Sequence, residues 1–173
     1  MDGIRAAELP ADETAIRGLW LEYLGWANDQ LEIHYGFRMV VEATVDRDVA
    51  EIDNYRPPHG HLLVAVNDGV VIGVGCVRRI GPATAEVKRM YVRPAHRGGG
   101  LGRALLDALL GAAEGDGCAV VRLDSAAFMT AAHQLYRSRG FREIAPSPES
   151  EIPERYRDHW VFMERRSGSA DDA

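Results

Sequence analysis

Between Glu86 and Arg103 the chain reads Glu-Val-Lys-Arg-Met-Tyr-Val-Arg-Pro-Ala-His-Arg-Gly-Gly-Gly-Leu-Gly-Arg. A run with strand character passes into a glycine-rich loop and then directly into an amphipathic helix pattern. A helix start carries unpaired N–H groups and a partial positive charge. Glycines let the backbone approach an anion with no Cβ in the way, and Arg97 and Arg103 add formal charge. Residues of these types in this order make a site for a phosphate or pyrophosphate. A P-loop needs Gly followed by Lys, and Lys88, the chain's single lysine, follows Val87. The dinucleotide pattern G-x-G-x-x-G fails as well, because Arg103 or Leu105 stands where its third glycine belongs. What fits is R-x-x-G-x-G, as Arg97, Gly100 and Gly102. Outside its strand–loop–helix setting the same stretch would read as a glycine-rich turn with arginines.

A second motif follows at Ala132-His133-Gln134-Leu135-Tyr136-Arg137-Ser138-Arg139-Gly140-Phe141, with a short apolar strand candidate, Val120 to Asp124, between the two. Together they resemble the GNAT family of N-acetyltransferases, whose pyrophosphate loop is R-x-x-G-x-G and whose later helix reads A-x-x-L-Y-x-x-x-G-F. Gly73 in Val-Ile-Gly also matches the family's central strands. The resemblance covers roughly Gly60 to Phe141; the two ends agree only in broad topology.

The resemblance implies an acyl-CoA-dependent N-acyltransferase, most simply one moving acetyl from acetyl-CoA by direct attack to a primary amine of a small-molecule or protein acceptor, with small amine, amino acid, antibiotic and protein amino group all open. The co-substrate would be held by the amides of Arg97, Gly98, Gly99, Gly100, Leu101, Gly102 and Arg103. Met90, Tyr91 and Val92 would act through their backbone on the pantetheine arm and the thioester carbonyl, as fixed donors stabilise an oxyanion. An alkylamine is almost fully protonated at neutral pH, so the reaction needs a base. Glu86 is the candidate, four residues before Met90; strand alternation puts Glu86, Lys88, Met90 and Val92 on one face. The alternative for Glu86 is a solvated carboxylate paired with Lys88 or Arg89. Tyr136 is the candidate acid for the leaving thiolate, with a core aromatic as its alternative. Met129 stands where many relatives carry an asparagine that helps hold the pantetheine. Asp124 and Ser125 could face the acceptor or cap the next helix.

These residues need elements to hold them. Ile4 to Leu9 reads as a strand. Pro10 to Glu13 opens a helix, and Ile16, Leu19, Tyr23 and Trp26/Ala27 recur at its period; Leu31 to Phe37 is ambiguous. A second helix is expected over about Thr44 to Ile52. His61 to Val66 and Val70 to Arg79 form a hairpin around Asn67-Asp68-Gly69, a type I′ turn sequence. Ala85 to Val92 is a strand, Leu101 to Ala112 a helix, Ala119 to Leu123 a strand and Ala131 to Arg139 a helix stopped by Gly140. Phe141 starts a strand, Pro146 to Pro153 is a loop, and His159 to Glu164 closes the order β-α-α-β-β-β-α-β-α-β-β. That is one α/β domain, residues 1–166, with a mixed, mostly antiparallel sheet flanked by helices, and residues 167–173 as a disordered tail.

The bulk composition agrees. The 173 residues are 46% hydrophobic and 27% charged, with net charge -6, which argues against a nucleic-acid partner. Cys76 and Cys118 lack partners at metal spacing and read as reduced core thiols. His59-Gly60-His61 alone is weak evidence for a metal, so none is expected. No stretch approaches the roughly 20 apolar residues of a membrane span, and MDGIRAAELP has no apolar leader core; a cytoplasmic protein is expected. Homodimers are common in the family, and the sequence leaves the oligomeric state open. Trp20, Tyr23 and Trp26 read mostly as core, with one of them, or Tyr55 or Arg56, beside the acceptor site. His96 is placed near the phosphate or in solvent, and His133 at the surface or on a pocket wall. Two other functions remain at this stage: a non-catalytic acyl-CoA-binding sensor, and a nucleotide-binding protein using the same loop.

Overall fold

The computed structural model describes residues 3–147 and 150–168. Seven strands form a single sheet in the order β1-β2-β3-β4-β5-β7-β6. They are β1 (Gly3–Ala6), β2 (Gly60–Asn67), β3 (Val70–Gly81), β4 (Thr84–Val92), β5 (Val120–Ala126), β6 (Arg142–Ile144) and β7 (Trp160–Arg166). Helices α1 (Glu13–Tyr35) and α2 (Glu42–Ala50) precede β2, α3 (Leu101–Gly115) joins β4 to β5, and α4 (Thr130–Arg137) follows β5. The expected element order is observed. The ambiguous stretch after Leu31 continues α1 to Tyr35, where Gly36 takes a left-handed conformation and donates its N–H to the Glu32 carbonyl. The β2–β3 hairpin closes on Asp68 and Gly69, both at positive φ, as the turn sequence requires. Ser167 donates its N–H to the Ala119 carbonyl; the rest of the expected tail, residues 169–173, lies outside the described residues.

The sheet separates two apolar layers. On one face Ile16, Leu19 and Trp20 of α1 and Val45 of α2 pack onto Val64, Val74, Cys76 and Tyr91. On the other, Leu105, Leu106 and Leu109 of α3 pack onto Val77, Val87, Val92 and Val121. These three leucines are fully buried, each worth about 1.5–3 kcal/mol of removed apolar surface. Gly75 lets α3 come down: a Cβ there would stand 2.9 Å from Leu109 Cδ1.

Two departures from regularity make the site. First, β4 pairs with β5 in parallel only at Thr84, Ala85 and Glu86, opposite Val120, Val121 and Arg122. Beyond Glu86 the strands part: β4 keeps only β3 as neighbour, and β5 only β7. Second, β4 bulges against β3 between Val74 and Cys76, where Arg89 has φ of +52°. A bulge inserts a residue and reverses the alternation beyond it. This corrects the expectation of one shared face. Glu86 and Lys88 lie on the α1/α2 side with Tyr91, whereas Met90 and Val92 turn to the α3 side, where Met90 meets Gly75.

Candidate active site

The parting of β4 and β5 opens into a cavity of about 450 Å³. Its walls are β4 from Glu86 to Met90, β5 from Leu123 to Ala126, Tyr23 and Leu31 of α1, Thr44 and Arg47 of α2, Met129 and Tyr136 at α4, and the segment from Glu151 to Tyr156. Both candidate catalytic residues, Glu86 and Tyr136, therefore face one space, as does Met90 of the candidate cofactor strand.

The glycine loop follows the end of β4, the strand whose Glu86 to Met90 line this cavity. Gly98 and Gly100 have φ of +88° and +83°, which other residues enter only with strain, and a Cβ built on Gly98, Gly99 or Gly100 would meet nothing within 4 Å. Gly100 is the N-cap of α3 with no side-chain cap, and the first amide to find a helical acceptor is that of Ala104, on Gly100 O. Among the described residues the amides from Gly98 to Arg103 are thus left without backbone acceptors, the donor set an oxyanion needs. Arg97 folds back, its Nε donating to Val92 O at 2.8 Å and its guanidinium lying 5.4 Å from the Tyr91 ring centre. Arg93 is paired with Glu22. The unpaired donors and the open, Cβ-free loop fit the pyrophosphate of a coenzyme A.

Glu86 is mostly buried; its Oε2 accepts from Arg78 Nε at 3.0 Å and is ion-paired with Nη2 at 2.9 Å. Arg78 also donates to Glu151, at 2.7 Å, and Lys88 pairs with the same carboxylate. The partner expected for Glu86 was Lys88 or Arg89, but Lys88 is taken by Glu151 and Arg89 by Asp48, at 2.6 Å. These two cations hold Glu151 down, to a pKa of about 2, against the opposing effect of burial. Tyr136 is buried against Phe141, and burial pushes its phenol well above the ordinary value. Tyr23 stacks on Tyr91 with ring centres 5.5 Å apart and points its hydroxyl at Met129 Sδ, 3.8 Å away.

Asp124 is the residue that sequence reasoning underrated. Its carboxylate makes no hydrogen bond or ion pair among the described residues, yet it is largely buried and lines the cavity. Burial, with the neighbouring charge of Glu86 as the second cause, pushes its pKa up to about 6. Glu86 and Asp124 also line a second cavity, of about 380 Å³, with Arg78 and Arg122. The available signal was a carboxylate two residues from Arg122 on a short strand that is otherwise mostly apolar, Val-Val-Arg-Leu-Asp-Ser-Ala. Neither Asp124 nor Ser125 caps a helix: α4 starts at Thr130 without a side-chain cap, and Ser125 Oγ lies 2.7 Å from His133 Nε2 in the interior, fixing α4 to β5. Among the early aromatic candidates Tyr23 reaches the cavity. Trp20 and Tyr55 are core, edge to face at 6.4 Å, Trp26 packs edge-on against Phe128, and Arg56 pairs with Asp53. His61 bonds Asp116 at 2.8 Å. No helix among the described residues is long and apolar enough to cross a membrane.

Comparison with known proteins extends this picture. The profile of the Acetyltransferase (GNAT) family matches residues 20–141. An uncharacterised N-acetyltransferase of Schizosaccharomyces pombe is 32% identical over 152 residues, 87% of this chain and 88% of that protein. N-acetylaspartate synthetase of Homo sapiens is 35% identical over 119 residues, 67% of this chain but 39% of the synthetase. A protein of Salmonella typhimurium solved with its cofactor acetyl-CoA superposes with a TM-score of 0.68 at 26% identity, covering 98% of this chain and 97% of that one. The relatives are transferases, which leaves the reading of this fold as a bare binding module without support. The chain belongs to the GNAT family of acetyl-CoA-dependent N-acetyltransferases.

Proposed function

We propose that the enzyme transfers acetyl from acetyl-CoA to a primary amine by direct attack, in the gap between β4 and β5. The observation that carries this reading is the gap itself. It brings strand backbone freed from sheet pairing, a buried tyrosine and two carboxylates around one cavity, on a strand that runs on into a loop of unpaired amides. The loop from Arg97 to Arg103 would hold the pyrophosphate. The backbone of Met90, Tyr91 and Val92, with no β5 partner, would line the pantetheine and donate to the thioester oxygen. Met129, in place of the family's asparagine, leaves that wall to backbone contacts and to Tyr23.

The incoming ammonium gives one proton to a carboxylate, and the neutral nitrogen attacks the thioester carbon. The C–S bond breaks, the sulfur receives a proton, and one proton overall leaves to solvent. Glu86 and Asp124 are the carboxylates at hand. Glu86 already accepts a hydrogen bond from Arg78 and is ion-paired with it, whereas Asp124 is unpartnered and titrates near neutrality, at about 6, where a general base works best. We therefore assign Asp124 the proton and Glu86 the second position, through water. Tyr136, kept protonated by burial, donates to the sulfur as charge develops there.

Calorimetric titration with acetyl-CoA and with free coenzyme A, on wild type and a Gly100→Trp/Gly102→Trp variant, tests the first half. Micromolar binding lost in the variant is the expected result; a folded wild type that binds neither ligand overturns it. An amine screen with Glu86→Gln and Tyr136→Phe as controls tests the second.

A further inference from the structure

Among the described residues eight charged side chains line the larger cavity, and five of them are already matched within the protein. Arg38 pairs with Asp29 and Glu32, Arg89 with Asp48, Glu86 with Arg78, and Glu151 with both Arg78 and Lys88. Three are not. Asp124 has no partner among the described residues. Arg47 has, among the described residues, only Asp48 Oδ1, at 3.8 Å, and the other oxygen of that carboxylate is held by Arg89 at 2.6 Å. Arg155 lies over the Tyr156 ring, 4.7 Å from its centre, and makes no ion pair among the described residues. The unmatched charges are thus one carboxylate on the β5 wall and two guanidiniums, from α2 and from the 3-10 turn Glu154–His159. Leu31, Met39, Val41, Ile152 and Trp160 supply apolar lining to the same space.

From this pattern we infer that the acceptor is a small amine that also carries a carboxylate, with its ammonium at Asp124 and its carboxylate between Arg47 and Arg155. The inference rests on acetyl transfer taking place in this cavity. Charge complementarity selects against the other amine classes. A polyamine would set a second ammonium beside two guanidiniums, and an uncharged aromatic amine would leave all three charges unmatched. Guanidinium forks suit a carboxylate because they offer paired, parallel N–H donors. The arginines of the cavity rim also oppose the chain's net charge of -6, so the anion-attracting field is local to the site. A volume of about 450 Å³ is that of a small-molecule pocket.

The test uses matched amines: an amino acid, the corresponding amide and the decarboxylated amine, for several side chains. kcat/KM is measured for each on wild type and on the Arg47→Gln/Arg155→Gln double variant, with calorimetric binding of acetyl-CoA as the control for folding. Wild type is expected to favour the free acids by about tenfold or more over both analogues. In the double variant the acid-to-amide ratio falls towards one, through a raised KM for the acids. Amides or decarboxylated amines that match or exceed the acids on wild type overturn the acceptor class while leaving acetyl transfer standing, as does a preference that survives in the double variant. Absence of turnover with every amine, while acetyl-CoA still binds, overturns the transfer reading and this inference with it.

Discussion

Replacing Asp124 by asparagine keeps the side-chain shape and removes the unpartnered charge. Two effects of opposite sign follow. In the folded protein the Asp124 carboxyl titrates at about 6 instead of near its ordinary 3.8, so the folded state holds that proton more tightly than the unfolded chain. Stability therefore falls as pH rises from about 4 to about 6, and the deficit persists above that range. At 1.36 kcal/mol per pH unit it amounts to ~3 kcal/mol at neutral pH. Asparagine carries no such charge, though its amide is also left without a partner. A net gain of about 1–3 kcal/mol at pH 8 is expected, vanishing near pH 4, and for a chain of this size each kcal/mol raises Tm by about 2–4 °C. Activity moves the other way. Loss of the base lowers kcat/KM by about 10²–10⁴-fold, and the rise of the wild-type rate through pH 6 disappears. Thiol release from acetyl-CoA between pH 5 and 9, with thermal unfolding at pH 4 and 8, reads both. A variant within a few-fold of wild type that keeps the limb near pH 6 would refute Asp124 as base, whatever its stability.

Tyr136→Phe removes one hydroxyl from a buried ring; kcat should fall about 10–100-fold with acetyl-CoA binding unchanged, and an unchanged kcat in single-turnover assays removes Tyr136 from the chemistry. Asp48→Ala strips the partner from Arg89 in a buried pair, 4% and 15% exposed; denaturant unfolding should show a loss of about 3–5 kcal/mol. In Gly60→Ala the new Cβ would stand 2.2 Å from Val77 O and 2.9 Å from Asn54 O; backbone on both sides must shift, with a loss of about 1–3 kcal/mol or more. Glu151 is held down at about 2 by Lys88 and Arg78, so its pairing stabilises the protein fully above the ordinary carboxylate range and is lost as pH falls through about 2. Acid unfolding of Glu151→Gln should lack that contribution, discounted because the side chain is 42% exposed.

What the sequence disclosed was what is local. The glycine loop is legible because its chemistry belongs to consecutive amides, and R-x-x-G-x-G states them in order. Tyr136 is legible because its helix repeats a spacing. Asp124 is harder, since its meaning depends on Glu86, which lies across a parallel pairing joined only after α3 intervenes. The bulge at Arg89 left no mark: positive φ usually advertises itself with glycine or asparagine, and here arginine adopts it with its side chain tied to Asp48 on another element. That single inserted residue turned Met90 and Val92 away from the face that strict alternation assigns them. Glu151 sat in a segment read only as loop, and its ties to β4 through Lys88 and to β3 through Arg78 are contacts across more than sixty residues that no periodicity encodes.

The parting of β4 from β5 leaves the enzyme with two grammars in one active site. On the proposed reading the donor side is written mostly in main-chain atoms, which every residue type shares, with Tyr136 as the side-chain exception, whereas the acceptor side is written in side chains from α1, α2, β5 and the 3-10 turn before β7. On that reading a mutation at Arg47, Met39 or Arg155 edits which amine is accepted without touching the apparatus that grips the coenzyme. Such an enzyme can be retrained for a new acceptor one rim residue at a time, keeping its acetyl chemistry at each step. Directed-evolution libraries belong on that rim and not on the glycine loop.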